Sequence, residues 1–218
     1  MRSLGQPQVL KSAVIAALIC AVACYPRVCS APERVYPVWY MEAVLFLGSI
    51  VLWGFVFAWH TKYTQRPVFT LRIGPLDWAA ATLCGAGGAL FWHFWIDPFV
   101  RARAPADYPA TLYEWLGTTL FTLACTQLFV VFSPFAWLMR LFQKPGWATA
   151  LTVVFGLVVM LIRQHSAPLQ VPATWLAGLL ALRLTALFLS VFFFLRGGIL
   201  LASWWVLLLQ SRHLLELG

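Results

Sequence analysis

Acidic side chains are scarce in this chain: seven Asp and Glu among 218 residues, against fifteen Lys and Arg. Charged residues of both signs make up 10% of the chain, where a soluble domain carries about 25%. With 62% hydrophobic residues and a mean hydropathy of +0.83, too little polar surface remains to cover a water-soluble globule. Recognisable catalytic signatures are missing as well. There is no HExxH, no CxxC, no Gly-rich phosphate loop and no Ser-His-Asp order. A bilayer is the solvent that accommodates such a composition. In hydrocarbon the backbone satisfies its own hydrogen bonds, so only helices or closed barrels can span it. Barrel strands alternate polar and apolar residues, whereas the apolar runs here are unbroken. The expected fold is all-α: a polytopic bundle of about seven transmembrane helices, six to eight, forming one integral membrane domain over 1–218.

Seven apolar segments can be drawn against a hydrocarbon core of about 30 Å. They are Ser12 to Tyr25, Val38 to His60, Leu76 to Trp95, Leu112 to Met139, the stretch between Lys144 and Arg163, Trp175 to Leu195, and Ile199 to Leu209. The first is short and follows Arg2 and Lys11, so an uncleaved first helix is weighed against a secretory leader, and the helix is preferred. Pro134 is expected to bend or end the fourth segment. Gly197-Gly198 is expected to break the chain between the sixth and seventh.

The net charge of +8 is spread between the apolar runs rather than gathered on one basic face, so nucleic acid is not an expected partner. Membrane lipid is, together with other membrane protein subunits. Alternating the segments puts Arg2, Lys11, Lys62, Arg66, Arg72, Arg140, Lys144 and Arg196 on the N-terminal side. Arg27, Arg34, Arg101, Arg103, Arg163 and Arg212 fall on the other. Eight against six favours a cytoplasmic N-terminus, in the inner (plasma) membrane of a bacterium. Of the five cysteines, Cys84 and Cys125 lie inside apolar runs and read as buried thiols. Cys24 and Cys29 flank a loop and would pair if it faced an oxidising compartment.

Ionisable groups inside a membrane are functional suspects. His93 and Asp97 stand four apart on the third segment, and Glu114 opens the fourth. Converged, the three would bind a metal or move a proton; separately, they are an interfacial His–Asp pair and a helix-end acid. Arg183 lies in mid-segment and either pairs with a buried carboxylate or snorkels along its stem. Glu42 suits the positive end of a helix dipole without further role. His60, His165 and His213 lie at segment ends, where no facing pair for haem is evident. No metal and no cofactor is expected.

A frame of motifs occupies the second half of the chain, 112–215, while 1–111 supplies N-terminal helices. It comprises Thr126-Gln127-Leu128-Phe129-Val130-Val131-Phe132, the basic turn Arg140 to Trp147, Phe155-Gly156-Leu157-Val158-Val159, and Arg196-Gly197-Gly198-Ile199 followed by Leu207 and Ser211. This frame resembles the CPBP intramembrane endopeptidases, the CAAX-processing and bacteriocin-processing (Abi) proteases. Their pattern has a glutamate pair, an Arg, two helix-borne histidines and an Asn. In the resemblance Thr126 and Gln127 stand for the carboxylates, Val131 for the Arg, Val159 and Leu207 for the histidines, and Ser211 for the Asn. Activating water needs a proton acceptor or a metal, which Gln, Val and Leu do not supply. The resemblance therefore implies a degenerate, non-catalytic relative: an accessory subunit of a membrane assembly, or a binder of lipid or hydrophobic peptide. Two alternatives remain open at this point. One is an active protease of the same type using His93, Asp97 and Glu114 instead, with His165 as a further candidate. The other is a transporter subunit with Arg183, Gln127 and Thr126 lining its path.

Overall fold

Seven helical limbs, crossing back and forth, make up the described residues. The structure is a computed structural model that describes residues 6–30, 35–105, 108–166 and 172–216. Arg2 and Arg34, used in the charge count above, and the side chain of His165 lie outside the described residues. The helices are α1 (Pro7–Ser30), α2 (Val38–Thr64), α3 (Pro75–Arg101), α4 (Leu112–Phe142), α5 (Pro145–Ser166), α6 (173–196) and α7 (199–210), with a closing 3-10 turn Ser211–Glu216. Six stretches of the described chain are long and apolar enough to cross a membrane. The last of them, Trp175–Leu215, reverses direction within itself.

Local chemistry sets the boundaries. Pro75 occupies the first turn of α3, with Asp77 beside it at the positive end of the dipole. Thr111 caps α4: its Oγ1 accepts from Glu114 N at 3.2 Å, while Glu114 Oε2 accepts from Ala110 N at 2.7 Å. This reciprocal arrangement satisfies two helix-end donors at once. Gln143, with φ 53°, ends α4 in the left-handed region, and Pro145 starts α5 two residues later.

Two of the prolines inside continuous helices, Pro98 and Pro134, each follow a wide turn. A π-helical turn spans Trp92–Ile96 just before Asp97-Pro98, and another spans Leu128–Phe132 just before Ser133-Pro134. A proline lacks an N–H and its ring clashes with the carbonyl four residues back. Widening the preceding turn relieves the clash. Pro134 therefore does not end α4, which runs on to Phe142. The first segment also exceeds its expected bounds: α1 has 24 residues and carries Pro26 within it. At 1.5 Å per residue that is about 36 Å, enough to span.

The turn between α6 and α7 depends on two glycines. Gly197 has φ −138° and ψ 20°, and Gly198 has φ 65° and ψ −157°, a conformation that disfavours any Cβ. Beyond the turn α7 lies back along α6: Trp205 Nε1 donates to Ser190 Oγ at 3.1 Å, and Phe193 and Trp205 rings lie 5.8 Å apart. The α2–α3 loop holds the turn. Ile199 N donates to Val68 O at 3.0 Å, and the Arg66 guanidinium donates to the Leu195 carbonyl, one of the carbonyls left over at the end of α6.

The packing is that of a membrane bundle. Phe132, Phe135, Phe193, Phe194 and Leu201 are fully buried, forming the centre with α7 inside it. Outward-facing Leu83 and Ile19 are 74% and 64% exposed, part of an apolar outer surface that water would not tolerate but lipid does. The inward face of α1 is small: Ala13, Ala17, Cys20, Ala21 and Cys24. Small residues let helix backbones approach, and α4 comes close enough at Gly117 that a Cβ there would meet Arg27 N at 3.2 Å. Ser49 Oγ of α2 donates to Cys20 Sγ of α1 at 3.4 Å, a thiol contact across the seam of those two helices. The expected Cys24–Cys29 pairing is corrected here. Both are free and both belong to α1, where five positions of helix separate the Cα atoms by more than the roughly 7 Å a disulfide allows.

Candidate functional site: an arginine-rich cavity in the bundle

Between α4, α5, α6 and α7 lies a cavity of about 400 Å³. Each helix presents one face to it at helical spacing: Thr122, Thr126 and Val130 from α4; Gly156, Val159 and Arg163 from α5; Arg183, Leu187 and Ser190 from α6; Trp205, Leu209 and Gln210 from α7. Gly156 permits the crossing that forms its wall. A Cβ there would meet Leu187 Cδ2 at 2.1 Å.

Three arginines are among the residues that line this space, Arg163, Arg183 and Arg212. Arg163 comes near the end of α5 and Arg212 just beyond α7, so both stand at the mouth. Arg183 is about ten residues into α6, and the pairing of Ser190 with Trp205 across the hairpin sets it level with Arg212. An arginine at the centre of a membrane helix costs roughly 2.5–3.5 kcal/mol even by insertion scales. Among the described residues lining it there is no carboxylate and no imidazole. Asp97, beside the cavity, is 1% exposed and accepts from Arg212 Nε at 3.1 Å and from Tyr108 Oη at 2.9 Å. Arg212 also stacks over Trp92, 5.3 Å from the ring, and Nη1 donates to Leu209 O at 2.8 Å. Deeper in, Gln127 lines the cavity at 8% exposure, and its Oε1 has no hydrogen-bond partner. An orphaned buried acceptor is costly, and its last bond rotates to offer either end of the carboxamide.

The structure distributes the sequence candidates unevenly. Thr126, Gln127, Val131 and Val159, four of the family-frame positions, converge on the cavity. Leu207 and Ser211 do not line it; Ser211 Oγ donates to Leu208 O at 2.6 Å, closing the end of α7. Arg183 joins Thr126 and Gln127 there. His93, Asp97 and Glu114 take separate tasks. His93 packs edge-on to Phe94 at 4.9 Å, Asp97 binds Arg212 and Tyr108, and Glu114 completes the α4 cap. Among the described residues no group of three His, Cys, Asp or Glu could hold a metal. His60 is buried against Phe194, 4.4 Å between rings, at the end of the bundle that carries the α6–α7 turn; His213 packs on Tyr108 at the other end. The two do not face each other as haem ligands would.

What the sequence leaves unseen is that Arg163 and Arg212 border the same cavity as Arg183. Both were assigned to loops as topology charges. The available signal was their spacing from helix ends, since a charge within one turn of an end can point inward as easily as outward. Set against family models, curated proteins and solved structures, the chain matches none of them.

Proposed function

We propose that the chain is a non-catalytic integral membrane protein on a CPBP-like bundle, and that its work is to hold a lipid or hydrophobic peptide in the interior cavity. One observation carries the reading. Four of the six positions where the resembled proteases keep their reactive groups line a single cavity, and here they are Thr126, Gln127, Val131 and Val159; Leu207 and Ser211 lie outside it. None can take a proton from water at neutral pH. The space they enclose falls within the 300–1,000 Å³ usual for small-ligand pockets, at about 400 Å³. Its wall is mostly apolar with a few polar groups, which suits a ligand drawn from the bilayer. Asp97 and Glu114, the acids a relocated protease would use, are engaged in an ion pair and a helix cap. Such a membrane-embedded binder would sit with its N-terminus in the cytoplasm, as the Lys and Arg distribution favours.

The test is direct. Purified protein is incubated with a prenylated peptide and with a leader peptide, and bound lipid is read by native mass spectrometry. The expected result is no cleavage, by the wild type or by Glu114→Gln, with lipid retained through purification. Turnover that Glu114→Gln abolishes would overturn the proposal.

A further inference from the structure

We propose that the end of the bundle carrying the α6–α7 turn is a docking surface for anionic lipid head groups, and that the 65–76 connection lies in the membrane interface as its anchor. The inference is independent of the cavity, whose mouth is at the opposite end.

Charge is the first argument. Lys62, Arg66, Arg72, Arg140, Lys144 and Arg196 all fall at this end, in the connections α2–α3, α4–α5 and α6–α7 or within a turn of them. Among the described residues one acid stands against these six cations. It is Asp77, which pairs with Arg196 at 3.6 Å. The opposite end mixes its signs, with Glu42, Asp97 and Glu114 placed among Arg27, Arg103 and their neighbours. The asymmetry therefore lies in the acids more than in the Lys and Arg count of eight against six. A surface of one sign draws the opposite sign out of solution or out of a leaflet.

Continuity is the second. The cations form one group rather than a scatter. Arg140 lies over the ring of Trp59 at 4.5 Å, which ties the end of α4 to the end of α2. Lys62 and Arg66 follow Trp59 within two turns of chain. The Arg66 guanidinium donates to the Leu195 carbonyl, which brings in the end of α6 beside Arg196. Lys62, Arg72 and Lys144 are exposed and pair with no acid among the described residues.

The outward face of the 65–76 connection is the third and independent argument. Val68 is buried, and its carbonyl accepts from Ile199 N at 3.0 Å, so the strap is fixed to the hairpin turn. Its neighbours Phe69, Leu71 and Leu76 point away from the protein, the last two 78% and 83% exposed. Trp147 is exposed in the same way three positions after Lys144. These side chains flank spanning helices and sit where head groups begin. Apolar groups that face outward beside cations are the composition of an interfacial segment: the rings and branched chains enter the acyl boundary, and the cations meet phosphates. A surface kept for an acidic soluble protein would leave Phe69, Leu71 and Leu76 in water between encounters, at a cost that grows with apolar area.

The experiment uses the full chain purified in neutral detergent. It is titrated separately with dioleoyl phosphatidylglycerol and with dioleoyl phosphatidylcholine, which has the same chains under a zwitterionic head, and bound lipid is read by native mass spectrometry. The expected result is phosphatidylglycerol binding at least about tenfold tighter, because each Lys or Arg at an anionic surface contributes about fivefold. Arg72→Gln and Lys144→Gln should each cut that preference by about fivefold, while Arg103→Gln, at the opposite end, leaves it unchanged. Both replaced side chains are exposed, so the variants fold. A second readout places a fluorophore on Leu71→Cys in a cysteine-free background in lipid nanodiscs, where brominated acyl chains should quench it and aqueous iodide should not. Equal affinity for the two lipids, or a preference that Arg103→Gln lowers as much as Arg72→Gln does, would overturn the docking surface. Quenching of the Leu71 label by iodide alone would overturn the anchor and turn this face toward a soluble acidic partner. Neither result bears on the cavity, because Arg72, Lys144 and Leu71 are not in its lining.

Discussion

Asp97 and Arg212, 115 positions apart in the chain, meet through Oδ2 and Nε at 3.1 Å with side chains 1% and 13% exposed. The pair joins α3 to the end of α7 at the mouth of the cavity. Removing one member of a buried pair strands the other's charge, at a cost of about 3 kcal/mol. Asp97→Asn should therefore lower the thermal midpoint in detergent by several degrees, and the double change Asp97→Leu with Arg212→Met should recover most of the loss. Thermal unfolding of the three proteins decides it. A double variant no better than the single would mean that the pair contributes more than its own cancellation of charge.

Close packing of α3 on α7 makes a matched prediction at two glycines. A Cβ on Gly85 would meet Leu208 Cβ at 2.7 Å and Trp205 O at 3.3 Å, whereas nothing lies within 4 Å of one on Gly87. Gly85→Ala should destabilise by about 1–3 kcal/mol through overpacking. Gly87→Ala should be neutral or stabilise by up to about 1 kcal/mol, because alanine is the better helix former. Melting curves of the two variants side by side provide the check.

At Gly198 the conflict is with backbone on both counts. Its φ is 65°, and an added Cβ would meet Val68 O at 2.4 Å. Gly198→Ala should cost about 2 kcal/mol or more, since neither the dihedral nor a carbonyl can yield cheaply. Gly146→Ala, with open space around it, is the control. Limited proteolysis should cut the Gly198 variant in the 65–74 loop, which the turn no longer holds.

His60 is fully buried between Phe135 and Phe194, and neither ring nitrogen has a hydrogen-bond partner. Removing unsatisfied polar atoms while keeping the volume is neutral to stabilising by about 1 kcal/mol. His60→Leu should fold and melt at or above the wild-type temperature. A drop of several degrees would show that the imidazole has a partner.

The alternation of helices can be mapped chemically. In a cysteine-free background, single cysteines replacing Lys144 and Arg72 should react with a membrane-impermeant maleimide from one face, and those replacing Arg103 and Arg163 from the other. Labelling of Lys144→Cys and Arg103→Cys from the same face would contradict the threading of α4.

The helical limbs were legible because burial in lipid is a sum. Twenty apolar residues in a row suffice, whatever their order, and the Gly197-Gly198 break announced the reversal between α6 and α7. Pro134 does not end its segment because the relief of its clash comes from the turn before it, Leu128–Phe132, and π-helical turns leave no compositional mark. Glu114 looked like a stray acid in an acid-poor chain; three positions after Thr111 it reads equally well as a capping box, and that is its place. The cavity was half visible. Thr126, Gln127 and Arg183 stood out as polar residues at depth, but their sharing one cavity with Arg163 and Arg212 depends on how four helices rotate about their axes, which no single segment encodes.

The hairpin has a bearing on how the molecule comes to be made. Its second limb, α7, is wedged in the centre, with Trp204 bonded to Thr82 of α3 and Trp205 to Ser190 of α6. Yet a ribosome emits it after every helix that surrounds it. The earlier helices must therefore enter the bilayer with a vacant slot among them, and they stay loosely associated, open to chaperones or to quality-control proteases, until the latecomer slides in and locks the assembly.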